Sequence, residues 1–374
     1  MRSRLTFSAL PILALLVGCN GDDVTDDASD EATDSGTEEE NSTFDTTGDG
    51  DGDGDGDGDG DGDPAPFVVS TSPADLEEGV AAIPSISVTF SEPMDPATIT
   101  TNTANKECSG SIHISFDNFL GCVQMTAQPT SDDNLTFTIT PGLPLESMTT
   151  YRLRVTSAAT DAGGTPMEGF YLSNTGFTIR YHHTIVIDGF VDFEDTEAFA
   201  SSTIGHAGYV AWDDAYLYLG MNSPDLGSNS NQVWFVAYLG GMAGTNAGVT
   251  YNTQQPMLPF DARWHVRWRA SDDFGSALAW DGGSWINTGF GPIVGSEDVA
   301  VSGSYLEMRI PLAELENPDT LDLHLGMLRE QAFNEASWAA VPSGSYVDGY
   351  DPNYTQYYQF DLLASMYPGD HDPL

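Results

Sequence analysis

The chain has 374 residues, with 57 acidic side chains against 11 basic ones and a formal charge of −46. A surface that negative repels phosphate backbones, which excludes nucleic acid as a partner. Three cysteines are too few for a disulfide scaffold, and no apolar run reaches the about 20 residues that a membrane-spanning helix needs.

The first predicted element is an export signal over residues 1–18. Arg2 and Arg4 precede an apolar stretch from Leu5 to Val17, broken only by Thr6, Ser8 and Pro11. That layout is a cleaved secretory signal, too short to span a bilayer. The stretch ends in Leu16-Val17-Gly18-Cys19, which resembles the lipobox of bacterial lipoproteins. The resemblance implies cleavage before Cys19 and lipidation of its thiol, which ties the chain to a lipid bilayer of the cell envelope; the outer membrane or cell surface is the expected place, with the inner membrane as the alternative. The alternative is an ordinary signal peptide with an incidental cysteine.

Residues 19–65 hold the lipidated cysteine and an acidic linker. Between 20 and 63 there are 19 Asp and Glu, no Lys or Arg, and a closing run of alternating Gly and Asp from Gly48 to Asp63. With almost nothing to bury, such a segment is expected to stay disordered. As a coil, its 44 residues would average roughly 35–40 Å end to end, enough to lift a domain off a lipid surface. Calcium is the sharper alternative, because Asp at every second position resembles the start of an EF-hand loop. The Glu at the twelfth position and the flanking helices are missing.

Beyond residue 63 the chain keeps 38 acidic and 9 basic residues, a net of −29. Cys108 and Cys122 are the pair left once Cys19 is taken by lipid. In an oxidising compartment they are expected to form a disulfide, with two free thiols or half a metal site as the alternatives.

A first β-sandwich is predicted over residues 66–180. Ile86, Val88 and Phe90 alternate with Ser and Thr, as do Leu135, Phe137 and Ile139, and then Tyr151, Leu153 and Val155. Period-two patterning broken by Pro, Gly and Asp reads as half-buried strands. The stretches Val68-Val69-Ser70-Thr71-Ser72-Pro73-Ala74-Asp75 and Phe90-Ser91-Glu92-Pro93-Met94-Asp95, with Asp161-Ala162-Gly163-Gly164 and Phe177-Thr178-Ile179, resemble the SbsA-type bacterial Ig-like domain. The resemblance implies a spacer or display module without catalysis. Glu92 and Asp95 either form a turn and cap it or ligate calcium.

A second, larger sandwich is predicted over residues 184–363, with a tail at 364–374. All seven Trp lie between Trp212 and Trp338, and Trp280 and Trp285 bracket Asp281-Gly282-Gly283-Ser284, a hairpin turn. Ile187-Asp188-Gly189 with Asp192-Phe193-Glu194, then Val210-Ala211-Trp212-Asp213-Asp214, then Leu306-Glu307-Met308-Arg309-Ile310 resemble the family 9 carbohydrate-binding module and its DOMON-like relatives. That resemblance implies a sandwich fold and, in the true modules, a pair of aromatic rings that clamp a sugar.

One strand in this domain stands out. Trp264, Val266 and Trp268 share a face that reads as core, and Arg263, His265, Arg267 and Arg269 share the other. The arginines either pair with acidic neighbours or form a strip that grips a carboxylate or phosphate through their planar forks. Tyr251, Asn252, Gln254 and Gln255 lie in the polar loop just before. The candidate ligand-binding residues are therefore Tyr251, Gln254, Arg263, Arg267 and Trp285.

No Gly-x-Ser-x-Gly, His-Glu-x-x-His, P-loop or CxxC pattern occurs, so no catalytic residue and no enzyme activity are expected. No cofactor is expected, with calcium left open. DOMON relatives can bind haem through Met and His, but Met221, Met308, His265 and His324 have no distinctive spacing and read as core or surface residues. The sequence thus predicts an all-β protein: two tandem β-sandwich domains behind a signal peptide and a disordered acidic linker. Its expected function is a non-catalytic surface lipoprotein presenting a head for carbohydrate or a small anionic ligand. The alternative is a structural or adhesive envelope protein whose head contacts other proteins.

Overall fold

Alternation in the sequence becomes strands in the structure. A computed structural model of the protein describes residues 64–227, 232–269, 271–272 and 274–374. The signal, Cys19 and the acidic segment to residue 63 lie outside the described residues.

The first sandwich contains β1 (Val68–Ser72), β2 (Ile86–Phe90), β3 (Ile112–Ser115), β4 (Thr136–Ile139), β5 (Thr150–Val155), β6 (Tyr171–Leu172) and β7 (Phe177–Thr178). One sheet runs β1-β2-β4; the other runs β3-β5-β6 with β7 also on β5. Ile86, Val88 and Phe90 face inward together with Phe137, Ile139, Tyr151, Leu153 and Val155, forming one apolar core between the sheets. The intervening Ser and Thr face out, the half-buried pattern of antiparallel sheets. Cys108 and Cys122 are joined by a disulfide with an S–S distance of 2.01 Å.

The second sandwich contains β8 (Ala198–Ala200), β9 (Ala207–Trp212), β10 (Tyr216–Asn222), β11 (Val233–Ala247), β12 (Met257–Arg269), β13 (Phe274–Trp280), β14 (Trp285–Asn287), β15 (Val299–Ser302), β16 (Tyr305–Pro311), β17 (Thr320–Arg329), β18 (Ala336–Val341) and β19 (Tyr358–Asp361). The smaller sheet runs β15-β16-β10-β9-β8. The larger runs β14-β13-β12-β11-β17-β18, with β19 also on β17. The structure is thus all-β, built of tandem sandwiches. Trp264, Val266 and Trp268 lie in the core between the second pair of sheets, as their spacing predicts.

The larger sheet is covered on its outer face as well. Phe235, Ala237 and Leu239 of β11 point into the main core, while Trp234, Val236 and Tyr238 point into a second apolar layer. Two segments build that layer: residues 248–256 between β11 and β12, which bring Val249 and Tyr251, and residues 342–357 between β18 and β19, which bring Tyr346 and Tyr354. A strand buried on both faces reads as an unbroken apolar run, and Val233 to Leu239 is one.

The stretches around Asp188, Asp213 and Glu307 serve as internal braces. Glu307 accepts hydrogen bonds from the Asp188 and Gly189 amides, each at 2.6 Å, and from the Tyr305 hydroxyl at 3.0 Å. Asp213 accepts from the amides of Ala215 and Tyr216 at 2.8 Å and from the Tyr218 hydroxyl at 2.7 Å. The two sandwiches also touch. His182 donates its amide to the Ser147 hydroxyl, and the Gly79 amide donates to the Ser365 hydroxyl, both at 2.9 Å. Residues 364–374 are packed: Tyr367 lies against Tyr181, His371 against Trp212 and Phe360, and the Leu374 amide bonds the Tyr357 carbonyl.

Candidate functional site

A cleft of about 530 Å³ opens at the edge of the outer layer. It is lined by Asn252 and Thr253 from the β11–β12 connection, by Ala332, Phe333, Asn334 and Glu335 from the β17–β18 turn, and by Tyr350 from the segment before β19. Two aromatic rings stand in solvent at its rim: Tyr350 is 60% exposed and Phe333 fully so. Phe333 has φ +64°, a left-handed conformation that turns its ring outward from a tight turn.

Glu335 organises the wall. Its carboxylate accepts the Thr253 amide at 2.9 Å on both oxygens and also the Thr253 hydroxyl. Since that hydroxyl donates to Glu335, it accepts from the Tyr350 hydroxyl, 3.0 Å away. A reciprocal pair lies alongside: the Gln255 amide donates to Asp351 and the Asp351 amide donates to Gln254 Oε1, each at 2.8 Å. The three segments are therefore hydrogen-bonded to one another around the opening. The side chains of Asn252 and Asn334 remain exposed beside them. Together they offer hydrogen-bonding groups next to apolar ring faces, the combination with which proteins bind sugars and other polar organic molecules.

The residues singled out from the sequence lie beneath and beside this opening. Tyr251 is buried and its hydroxyl contacts Tyr238 Oη at 2.8 Å and His265 Nε2 at 3.2 Å. Gln254 is 1% exposed, and its Nε2 is buried with no hydrogen-bond partner among the described residues. The polar loop expected over 251–255 is thus half interior: Tyr251 and Gln254 anchor it, while Asn252 and Thr253 face the cleft. Trp285 is half-buried and donates its indole N–H to the Ala247 carbonyl at 2.9 Å.

The arginine face is not continuous. His265 sits in its middle, fully buried, and desolvation holds its pKa down at about 3, with the Arg267 charge adding to the effect. Arg267 pairs with Glu330 at 3.0 Å and lies over the Trp234 ring, 4.5 Å from its centroid. Arg269 pairs with Asp272, and Arg263 donates to the Trp280 carbonyl. Each guanidinium already has a partner within the protein, so an anion binding there would have to displace it.

Met221 and Met308 lie in the main core, and His324 is buried with its Nε2 on the Ser345 hydroxyl at 2.9 Å. Among the described residues, no three His, Cys, Asp or Glu side chains are grouped to hold a metal ion. Asp95 accepts the Ala97 amide, forming a turn. Thr253, Phe333, Asn334, Glu335 and Tyr350 carry no sequence signal as a group, because the cleft draws on segments 82 to 97 residues apart. The only local hint was a lone aromatic in a polar turn.

Together these features define an all-β protein of tandem sandwiches in which a cleft sits on the outer layer of the second. Residues 62–178, spanning the first sandwich, match the family model of the bacterial Ig-like domain. Among solved structures, the chain is similar to the N-terminal part of the bacterial S-layer protein SbsC, with 15% identity, 66% of this chain and 44% of that one covered, and a TM-score of 0.23. A structure of surface layer protein SbsC, domains 1–6, is similar at 14% identity over 70% of this chain and 39% of that one, also with a TM-score of 0.23. The chain spans less than half the length of these structures. No curated protein matches it. Among the described residues no helix is long and apolar enough to cross a membrane.

Proposed function

We propose that this protein is a surface-displayed binding lipoprotein without catalytic activity. In this reading the export signal and Cys19 attach it to the cell envelope, the acidic segment and the Ig-like domain act as spacer and stalk, and the second sandwich is the head. The head takes a glycan or another small polar organic ligand in the cleft beside Thr253 and Glu335. The observation that carries the reading is the pairing of two solvent-facing rings, Phe333 and Tyr350, with hydrogen-bonding groups held in place by Glu335. Rings of this kind bind sugars through their apolar faces, and fixed polar neighbours select among hydroxyl patterns.

The test is a glycan array probed with the exported protein, with and without calcium, alongside a Tyr350→Ala, Phe333→Ala double variant. Reproducible binding that the double variant loses supports the reading. A blank array from a folded protein refutes glycan binding. It would shift weight to an adhesive or coat role, for which Val186, Phe190 and Val191 form an exposed apolar stretch at the head's first loop.

A further inference from the structure

We infer that the ligand of this cleft carries a positive charge, as an ammonium group on a sugar or on another small organic molecule. The inference rests on the cleft being a binding site and adds the chemical class of what it binds.

Glu335 is the starting point. It is only 5% exposed, and among the described residues no Lys, Arg or His pairs with it. Its partners are the amide and hydroxyl of Thr253, both neutral donors. A carboxylate removed from water and compensated only by neutral donors is a costly arrangement, and it is relieved most fully by a cation. Two carboxylate oxygens offer about four lone-pair directions, more than the Thr253 donors occupy. Here the carboxylate also lines an open cleft, so a ligand can supply the cation.

The rest of the cleft points to the same charge. Phe333 and Tyr350 put two exposed aromatic rings at the rim, and the negative quadrupole of a ring face attracts ammonium groups. Among the described residues no Lys, Arg or His lines the opening, so an anion there would find only neutral donors. Asp351 flanks it through its bond to the Gln255 amide. The net −29 of the chain beyond residue 63 raises the local concentration of cations and repels anions before contact. An acidic ligand would meet Glu335 with no compensating charge, a repulsive arrangement that excludes it.

The experiment compares three probes by calorimetry on the exported protein: a glucosamine oligomer, its fully N-acetylated twin, and a glucuronate oligomer, at a pH where the free amine is protonated. The first two differ at the amine alone. The glucosamine oligomer is expected to bind roughly tenfold tighter than its acetylated twin, as a charge-assisted contact requires, and to weaken with added salt. Glu335→Gln keeps an acceptor for Thr253 and is expected to abolish the preference. Phe333→Ala, at a fully exposed position where unfolding is not at issue, is expected to weaken the glucosamine oligomer about threefold to fivefold. Equal or tighter binding of the acetylated twin or the glucuronate overturns the charge assignment and leaves glycan binding standing. A preference that survives Glu335→Gln overturns the role of that residue. A folded protein that binds none of the three overturns the site itself.

Discussion

The Tyr251 hydroxyl donates its proton to Nε2 of the buried His265, 3.2 Å away. The direction follows from the other ring nitrogen: Nδ1 faces the Ala237 carbonyl at 3.1 Å, which can only accept, so Nδ1 carries the hydrogen and Nε2 the lone pair. Tyr251 therefore accepts from Tyr238, whose own oxygen accepts the Val249 amide at 3.0 Å. One directed chain, from Val249 through both tyrosines to His265, fastens residues 248–256 to the sheet and so positions Asn252 and Thr253 at the cleft.

Tyr251→Phe removes the last two links of that chain, because its hydroxyl both accepts from Tyr238 and donates to His265. The ring still fills its place, but Nε2 of His265 loses its donor inside a fully buried layer. A cost of about 1–3 kcal/mol is expected for a buried acceptor left unmet. Urea unfolding measures it, and hydrogen exchange at Val249 should accelerate in the variant. Unchanged stability would mean that water enters the layer and replaces the hydroxyl.

Acid sensitivity follows from the same layer. His265 and His324 are both held near pKa 3 by burial, against an ordinary value of 6.5. Between those values the unfolded chain binds protons that the folded chain refuses. Their contribution is fully present above pH 6.5 and is lost progressively as pH falls towards 3, at up to about 1.4 kcal/mol per pH unit for each histidine. Melting temperatures taken across that window should fall more steeply for the native chain than for a His265→Gln, His324→Gln variant. Parallel curves would show that the rings are hydrated and titrate normally.

Much of this fold is legible in the sequence, and the reason is local. Alternation at Ile86, Val88 and Phe90 and at Trp264, Val266 and Trp268 places those residues in cores, because a period of two leaves a strand only one inward face. The second apolar layer is not legible. Its cover comes from residues 248–256 and 342–357, which carry Asn, Gln, Ser, Gly and Pro and read as surface loops, while the aromatics among them do the packing. The sequence places His265 on a polar face for the same reason: nothing near it says that Tyr251 and Tyr354 will cover that face. Glu335 and Thr253 are further still from any pattern, since a contact across 82 residues leaves no local period.

The disulfide should be a stabiliser of the first sandwich alone. Cys108 and Cys122 are 14 residues apart, and closing a loop of that size contributes about 3 kcal/mol by restricting the unfolded chain. A Cys108→Ala, Cys122→Ala variant is expected to unfold that sandwich at lower denaturant while the tryptophans of the second, Trp212 to Trp338, report little change. Non-reducing mass spectrometry should find both thiols bonded in exported protein. Free thiols there would remove the basis for the prediction.

Glu197 holds the start of the second sandwich. It is fully buried and accepts the Tyr181 hydroxyl at 2.5 Å, His183 Nδ1 at 2.8 Å and the Glu194 amide at 2.7 Å. The hydrogen bond from His183 to this carboxylate raises the imidazole pKa above 6.5, outweighing the opposing effect of partial burial. The sign is opposite to that of the buried pair: His183 contributes stability that is full below pH 6.5 and fades as pH rises through its raised value. Glu197→Gln keeps an acceptor but removes the charge, so the His183 pKa should fall back towards 6.5 in a proton NMR titration. Glu197→Ala also leaves the Tyr181 hydroxyl and the Glu194 amide without their acceptor, and at about 1–3 kcal/mol for each buried donor left unmet a loss of about 2–6 kcal/mol is expected. If Glu197→Gln leaves the His183 titration where it was, the carboxylate is not what raises it, and the pH dependence assigned to this joint is wrong.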